Sequence, residues 1–185
     1  RLLGRVPRDF DVATDAPPGR ISQLFPDARQ VGAHFGVMLV VRGADEVEVA
    51  TFRSEHSYRD GRHPDHVAFE TDPRPDALRR DFTVNALFQD PATGEVLDFT
   101  GGRRDLDRRV IRAIGDARER FSEDHLRMLR AVRLAAALDF EIEPETMGAI
   151  RRMAPSIRLV SAERSRDELV RILTEGRARR GMELL

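Results

Sequence analysis

The sequence has no cysteine, no tryptophan and, among its 31 basic residues, no lysine. The first absence excludes disulfides, thiolate metal sites and thiol nucleophiles. The last excludes a Walker-type phosphate loop and a Schiff-base lysine, and it makes every permanent cation a guanidinium, whose planar fork suits phosphates and base edges. No apolar run approaches the roughly 18 residues that a membrane span needs. A soluble protein working in the cytoplasm, with no membrane partner, is expected. Of the 185 residues, 41% are hydrophobic and 34% charged, which is ample for a folded core and room for one domain with a helical appendage.

The net charge of −1 hides an asymmetry. Residues 1–100 carry 12 Arg against 17 acids (−5), whereas 101–185 carry 19 Arg against 15 acids (+4). An acidic front half suits metal chemistry, and a basic back half suits a polyanionic partner. The chain opens on Arg1-Leu2-Leu3-Gly4, which reads as the end of a helix, and it closes inside a helical pattern. We therefore read it as a fragment.

Strand-like runs come first. Residues 9–14 follow a proline turn, 36–41 form a continuous apolar run, and 46–52 alternate with period two after the hairpin material of 42–45. A short helix over 19–25 links the first two runs. Residues 54–76 are polar and rich in proline, and they read as a long loop, with His56, His63 and His66 as solvated side chains. A helix is expected over 77–85 and strands over 94–99 and 110–114. From Ser122 onward the pattern is helical, with Leu126, Leu129, Val132, Leu134 and Leu138 along the first apolar stripe and further helices over 144–153 and 161–174.

Asp9 and Asp11 stand on one face of the first strand, and Glu48 points inward from a later one. Acid-x-acid spacing recurs at 46/48, 70/72, 105/107, 141/143 and 143/145, so spacing alone does not single out the first pair. The added Glu48 does. Two carboxylates on one strand and a third on its neighbour are what two-metal phosphoryl transfer requires.

The segments LLGRVPRDFDVATDA, VEVATFR, RRDFTVNAL and GGRRDLDRRVIRAIGDARERFSEDHLRMLRAVRLAAAL, in this order, closely resemble the bacterial class II tRNA nucleotidyltransferase and poly(A) polymerase family, which includes the CCA-adding enzymes. The resemblance covers about residues 2–175. It implies an α+β fold, namely a polymerase-β-type nucleotidyltransferase head with a small mixed sheet over residues 1–115, followed by an all-helical neck over 116–185. It makes Asp9 and Asp11 ligands of Mg²⁺ and Glu48 the third catalytic carboxylate. Arg80, Asp81 and Asn85 then belong to the motif that contacts the ribose and phosphates of the incoming nucleotide. Glu123, Asp124 and Arg127 match the base-selecting motif, with Arg130 and Arg133 continuing the run. Asp124 and Arg127, three apart on a helix, are expected to share a face. Together they can read the amine and the adjacent ring acceptor common to cytosine and adenine.

By the same resemblance the partners are the tRNA 3′ end, CTP and ATP. The loop of 54–76 corresponds to one associated with switching from C to A addition, and Ser161-Ala-Glu-Arg164 corresponds to a structural neck-helix motif. A glycine-rich Gly-Gly-x-Val-Arg-Asp segment belongs before Arg1, and a helical body and tail belong after Leu185. Poly(A) polymerase, CC-only or A-only addition, and a non-catalytic RNA- or nucleotide-binding module are the other readings.

Overall fold

The computed structural model describes every residue except 1, 5, 8, 9, 33, 34, 44 and 57–65. The described residues form two compact units, one ending at Arg79 and the other running from Arg80 to Leu185. The head–neck boundary expected at 115/116 falls inside the second unit.

The first unit is built on a four-stranded mixed sheet in the order β1-β4-β3-β2. Strand β1 (Val12–Thr14) runs parallel to β4 (Asp45–Thr51), while β3 (Val37–Arg42) is antiparallel to β4 and to β2 (Arg29–Gly32). Gly43, at φ 66°, supplies the left-handed backbone that the tight β3–β4 connection needs. Helix α1 (Pro18–Leu24) covers one face, burying Ile21 against Met38, Val40 and Val49. A buried Thr51 hydroxyl donates to the Ala16 carbonyl at 2.8 Å and ties β4 to the turn before α1. The first strand is shorter than the expected 9–14, with Asp11 just ahead of it, and β2 was not foreseen.

The expected long loop is also revised. Among the described residues of 54–76 lie β5 (Arg53–His56) and β6 (His66–Phe69), paired antiparallel, and α2 (Pro73–Leu78). Proline is what misled the reading. Pro73 sits in the first turn of α2, where its missing N–H costs nothing, and the Asp72 carboxylate caps that turn by accepting from Arg74 N. Helix α2 stops at Leu78, and the expected 77–85 helix is replaced by an extended segment and a 3₁₀ turn (Thr83–Asn85).

In the second unit the ribbon of β7 (Leu87–Gln89) and β8 (Val96–Asp98) leads into α3 (Gly102–Arg108) and β9 (Val110–Ile111). Asp98 fixes the start of α3: its carboxylate accepts from the N–H groups of Thr100, Gly101, Gly102 and Arg103. Gly102 permits a close approach, since a Cβ there would overlap the Thr83 carbonyl. Helices α4 (Ala117–Glu123), α5 (Arg127–Leu138), α6 (Pro144–Met153), α7 (Ala162–Thr174) and α8 (Ala178–Leu184) make up the remainder, with a two-residue β10 (Glu141–Ile142) beside β9.

The core lies around α5, whose Met128, Ala131, Val132 and Ala135 recur at helical spacing against Phe82, Ile111, Phe121 and Phe140. Phe82 and Phe121 are wholly buried, each worth about 2–3 kcal/mol in apolar area removed from water. The helical stretch expected from Ser122 is divided. Asp116 caps α4 through bonds from Arg118 N and Glu119 N, Ser122 lies near the end of that helix, and a new helix begins at Arg127. Among the described residues no helix is long and apolar enough to cross a membrane.

Burial alone would raise the Asp98 pKa, yet the four backbone N–H donors hold it below the ordinary carboxylate value. A depressed folded-state pKa stabilises above the unfolded value near 4 and loses that contribution as pH falls through the folded value. Asp98→Ala should therefore cost about 1–2 kcal/mol at pH 7. In thermal unfolding the difference from the parent should shrink steadily as pH is lowered below about 4.

Candidate active site

Two sets of side chains carry the expected chemistry, one in each unit. In the first unit, the parallel register Val12↔Val49 puts Asp11 and Glu48 at the same level, each one residue before that pair. Val49 packs on the α1 side of the sheet, so strand alternation turns Glu48 to the other face. Both carboxylates are exposed. Carboxylate oxygens brought to one level fit a hard divalent cation that fills its other positions with water or phosphate oxygens. Asp9, the third expected carboxylate, lies outside the described residues. Among the described residues no group of three or more His, Cys, Asp and Glu could hold a metal. His56 and His66 are backbone register partners across β5 and β6, and His63 lies outside the described residues.

In the second unit, Asp81 is held from three directions. Its Oδ2 accepts from Arg130 Nε at 2.7 Å, while Oδ1 accepts from Asn85 Nδ2 at 3.2 Å and from Phe82 N at 2.9 Å. The residue is only 8% exposed. A carboxylate offers about four acceptor directions, so one remains for a ligand hydroxyl. The backbone is fixed as well: Ile114 N donates to the Asp81 carbonyl, and Thr83 N donates to that of Arg112.

Burial pulls the Arg130 pKa down. The adjacent Asp81, with Glu168 and Asp124, outweighs this and raises it above the ordinary arginine value, so Arg130 stays charged. Beside this group, Arg80 donates through Nη1 to the Asn85 carbonyl at 3.0 Å and lies over the Phe88 ring, 4.6 Å from its centroid. Its neighbour Arg79 belongs to the other unit, where it pairs with Glu55 and Asp76.

The residues expected to select the base are arranged differently from expectation. Asp124 is not helical: at φ −152° and ψ 108° it is the extended break between α4 and α5. It does not share a helix face with Arg127, which opens α5. Each has its own partner. Arg164, from the first turn of α7, grips Asp124 with both terminal nitrogens, Nη2 to Oδ2 at 2.7 Å and Nη1 to Oδ1 at 3.3 Å, and Leu126 N donates to Oδ1 at 3.0 Å. Arg127 pairs with Glu123 and donates to the Arg120 carbonyl, while Arg120 pairs with the same Glu123 oxygen at 2.9 Å.

The break sets Asp124 apart from both helices. An unbroken helix would spend the backbone on its own ladder, whereas the extended residue carries the Asp124 carboxylate out of the helix.

Arg164, which lies in the segment expected to be a structural neck-helix motif, is thus tied to the candidate site through Asp124. The serine of that motif does have a structural role, since the Ser161 hydroxyl accepts from Arg164 N and caps α7. Further along the same helix, the buried Glu168 binds Arg133 at 2.8 Å and approaches Arg130 at 3.9 Å, and Arg133 reaches Glu175 at 3.2 Å.

The family model for the poly A polymerase head domain matches residues 1–112. That for the probable RNA and SrmB-binding site of polymerase A matches 139–185. The chain is 44% identical, over its whole length, to a CCA-adding enzyme of Lactococcus lactis subsp. cremoris and spans 46% of that protein. A CCA-adding enzyme of Enterococcus faecalis is also 44% identical, over 93% of this chain and 42% of its own length. The chain thus spans about half the length of the curated relatives it matches.

Among solved structures, the Bacillus stearothermophilus CCA-adding enzyme in complex with CTP superposes with a TM-score of 0.90 at 39% identity, covering 100% of this chain and 44% of that one. A Thermotoga maritima CCA-adding enzyme complexed with tRNA gives a TM-score of 0.76 at 25% identity, covering 98% and 42%.

Removing the Arg164 fork leaves the partly buried Asp124 carboxylate without its cation. Arg164→Met should lower the unfolding free energy by about 1.5–3 kcal/mol. Arg164→Lys, which restores charge without the bidentate geometry, should recover only part of the loss in urea unfolding.

Proposed function

Because the chain belongs to the poly A polymerase head-domain family, we propose that it is the catalytic part of a template-independent tRNA nucleotidyltransferase that adds C and A to the tRNA 3′ end from CTP and ATP. The polymerase-β-type head occupies residues 1–115 and the nucleotide-selecting, RNA-binding neck 116–185. A tRNA substrate sets the work in the cytoplasm. The reading rests chiefly on one observation: the α4–α5 break presents Asp124, its carboxylate held by Arg164, beside a charged Arg127.

Those two groups can tell bases apart without a nucleic-acid template. A carboxylate accepts from the exocyclic amine shared by cytosine and adenine, and a guanidinium donates to the neighbouring ring acceptor. Uracil and guanine present the opposite pattern at that edge and leave both protein groups unsatisfied, which is a costly mismatch. Asp81 keeps one acceptor direction for a ribose hydroxyl, Asn85 and Arg130 hold it in place, and Arg80 offers charge to the triphosphate.

In the first unit, Asp9 and Asp11 would hold Mg²⁺, with Glu48 completing the acidic site. The chemistry such a cation would supply there is a more acidic RNA 3′ hydroxyl and charge neutralisation on the departing pyrophosphate. That hydroxyl oxygen attacks the α-phosphate, its proton is released, and the bond to the pyrophosphate breaks. No covalent enzyme intermediate is needed.

The full-length protein, given tRNA lacking its 3′ end and each nucleotide singly or together, should append C from CTP and then A from ATP and stop at CCA, as read by sequencing RNA 3′ ends. Asp11→Ala should reduce incorporation by about 100-fold or more, and Asp124→Ala should let UTP compete. Long A tracts on any RNA would make the protein a poly(A) polymerase. Incorporation unchanged by Asp11→Ala would overturn the assignment of that carboxylate.

A further inference from the structure

The second unit contains a cleft of about 270 Å³ lined by Thr100, Gly101, Arg104, Asp105, Arg108 and Arg112, none of which belongs to the candidate active site. Three guanidiniums border it. Asp105 is its one acid, and that carboxylate is already spent: buried to 4% exposure, it accepts from the Thr83 hydroxyl at 2.7 Å and from Arg112 Nε at 3.1 Å. Arg112 also pairs with Glu143 at 3.3 Å. Arg104 and Arg108 are exposed, stand one helical turn apart on α3, and form no ion pair among the described residues. Two like charges at that spacing repel, and no free carboxylate stands among the residues lining the cleft.

We propose that this cleft receives the backbone of the RNA substrate, with Arg104 and Arg108 engaging two successive phosphodiesters and the charged rim of Arg112 behind them. The chemistry fits a phosphate in particular. Guanidinium forks engage two phosphate oxygens at once, and an exposed pair on one helix can follow successive phosphates along a strand. The placement explains part of the excess of arginine in residues 101–185, and the cleft lies outside the stretch, 139–185, that matches the RNA-binding family model. Contacts of this type carry no base information, so the cleft fixes where the RNA lies and leaves nucleotide choice to Asp124 and Arg127. The inference takes its choice of anion from the proposed RNA substrate, but its test needs no turnover.

The test compares the full-length protein with its Arg104→Gln/Arg108→Gln variant. Both side chains are exposed and bonded to no described residue, so the variant should unfold at the parent's temperature. Binding of a tRNA acceptor-stem RNA, followed by fluorescence anisotropy between 50 and 300 mM salt, should weaken about tenfold near 0.15 M. The slope of log K against log salt should become shallower by about 1.5, the value for losing two phosphate contacts. The affinities for CTP and for inorganic pyrophosphate should stay unchanged. RNA affinity and slope equal to the parent's would overturn the proposal, and so would a loss confined to pyrophosphate, which would assign the cleft to the released product. A parent protein that adds no nucleotides but still shows the RNA difference would refute the proposed activity and leave the cleft's role standing.

Discussion

The second unit depends on the ion pair between Asp81 and Arg130. Asp81 lies in an extended stretch just after the boundary between the units, and Arg130 lies in the first turn of α5, 49 residues later. The Asp81 carboxylate, 8% exposed, is not tolerable alone at that depth, because an uncompensated buried charge costs several kcal/mol. The pair therefore pins the Arg80–Asn85 segment to α5. The chain of charges then continues through Glu168 on α7 to Arg133 and Glu175, with Glu168 and Arg133 only 5% and 8% exposed. Hydrophobic packing around α5 supplies the stabilisation, and the ion pairs set orientation: apolar contacts fix how close two elements lie, whereas a hydrogen-bonded fork fixes which atoms meet.

The same device appears at the α4–α5 break. Asp124 leaves the helical path, and Arg164 reaches it from another helix 40 residues away. A polar recognition group that must read a base edge cannot rely on the flexibility of its own side chain. Second-partner bonds hold it in one rotamer before the ligand arrives, which lowers the ordering cost of binding. Asp81, Asp124 and Arg127 each have such partners, and in each case the partner is a charged side chain.

Much of this was legible in the sequence. The apolar run of β3, the alternation of β4 and the apolar stripes of the helices all arise from local periodicity, and the structure contains the corresponding elements. The resemblance to a nucleotidyltransferase family rested on motif order and agrees with the family models. What failed was long-range or hidden in turn chemistry. Pro73 was read as a loop marker when it starts a helix. Asp98, which organises α3 through four backbone N–H groups, carries no sequence signal beyond a turn-like context. The Asp124–Arg164 fork joins residues from separate helices, and no periodicity can announce it. The break at Asp124 was missed because acids following a serine imitate a helix N-terminus, while the true cap, Asp116, sits earlier.

The most direct measurement is a double-mutant cycle on Asp81 and Arg130 in the full-length protein, using Asp81→Asn, Arg130→Met and their combination, followed by urea unfolding. If the pair organises the unit, each single change should be strongly destabilising. The double variant should lose less than the sum of the two by about 1–3 kcal/mol. Strictly additive losses would contradict it, showing that the two side chains act independently and that packing alone orients the segment carrying Asp81.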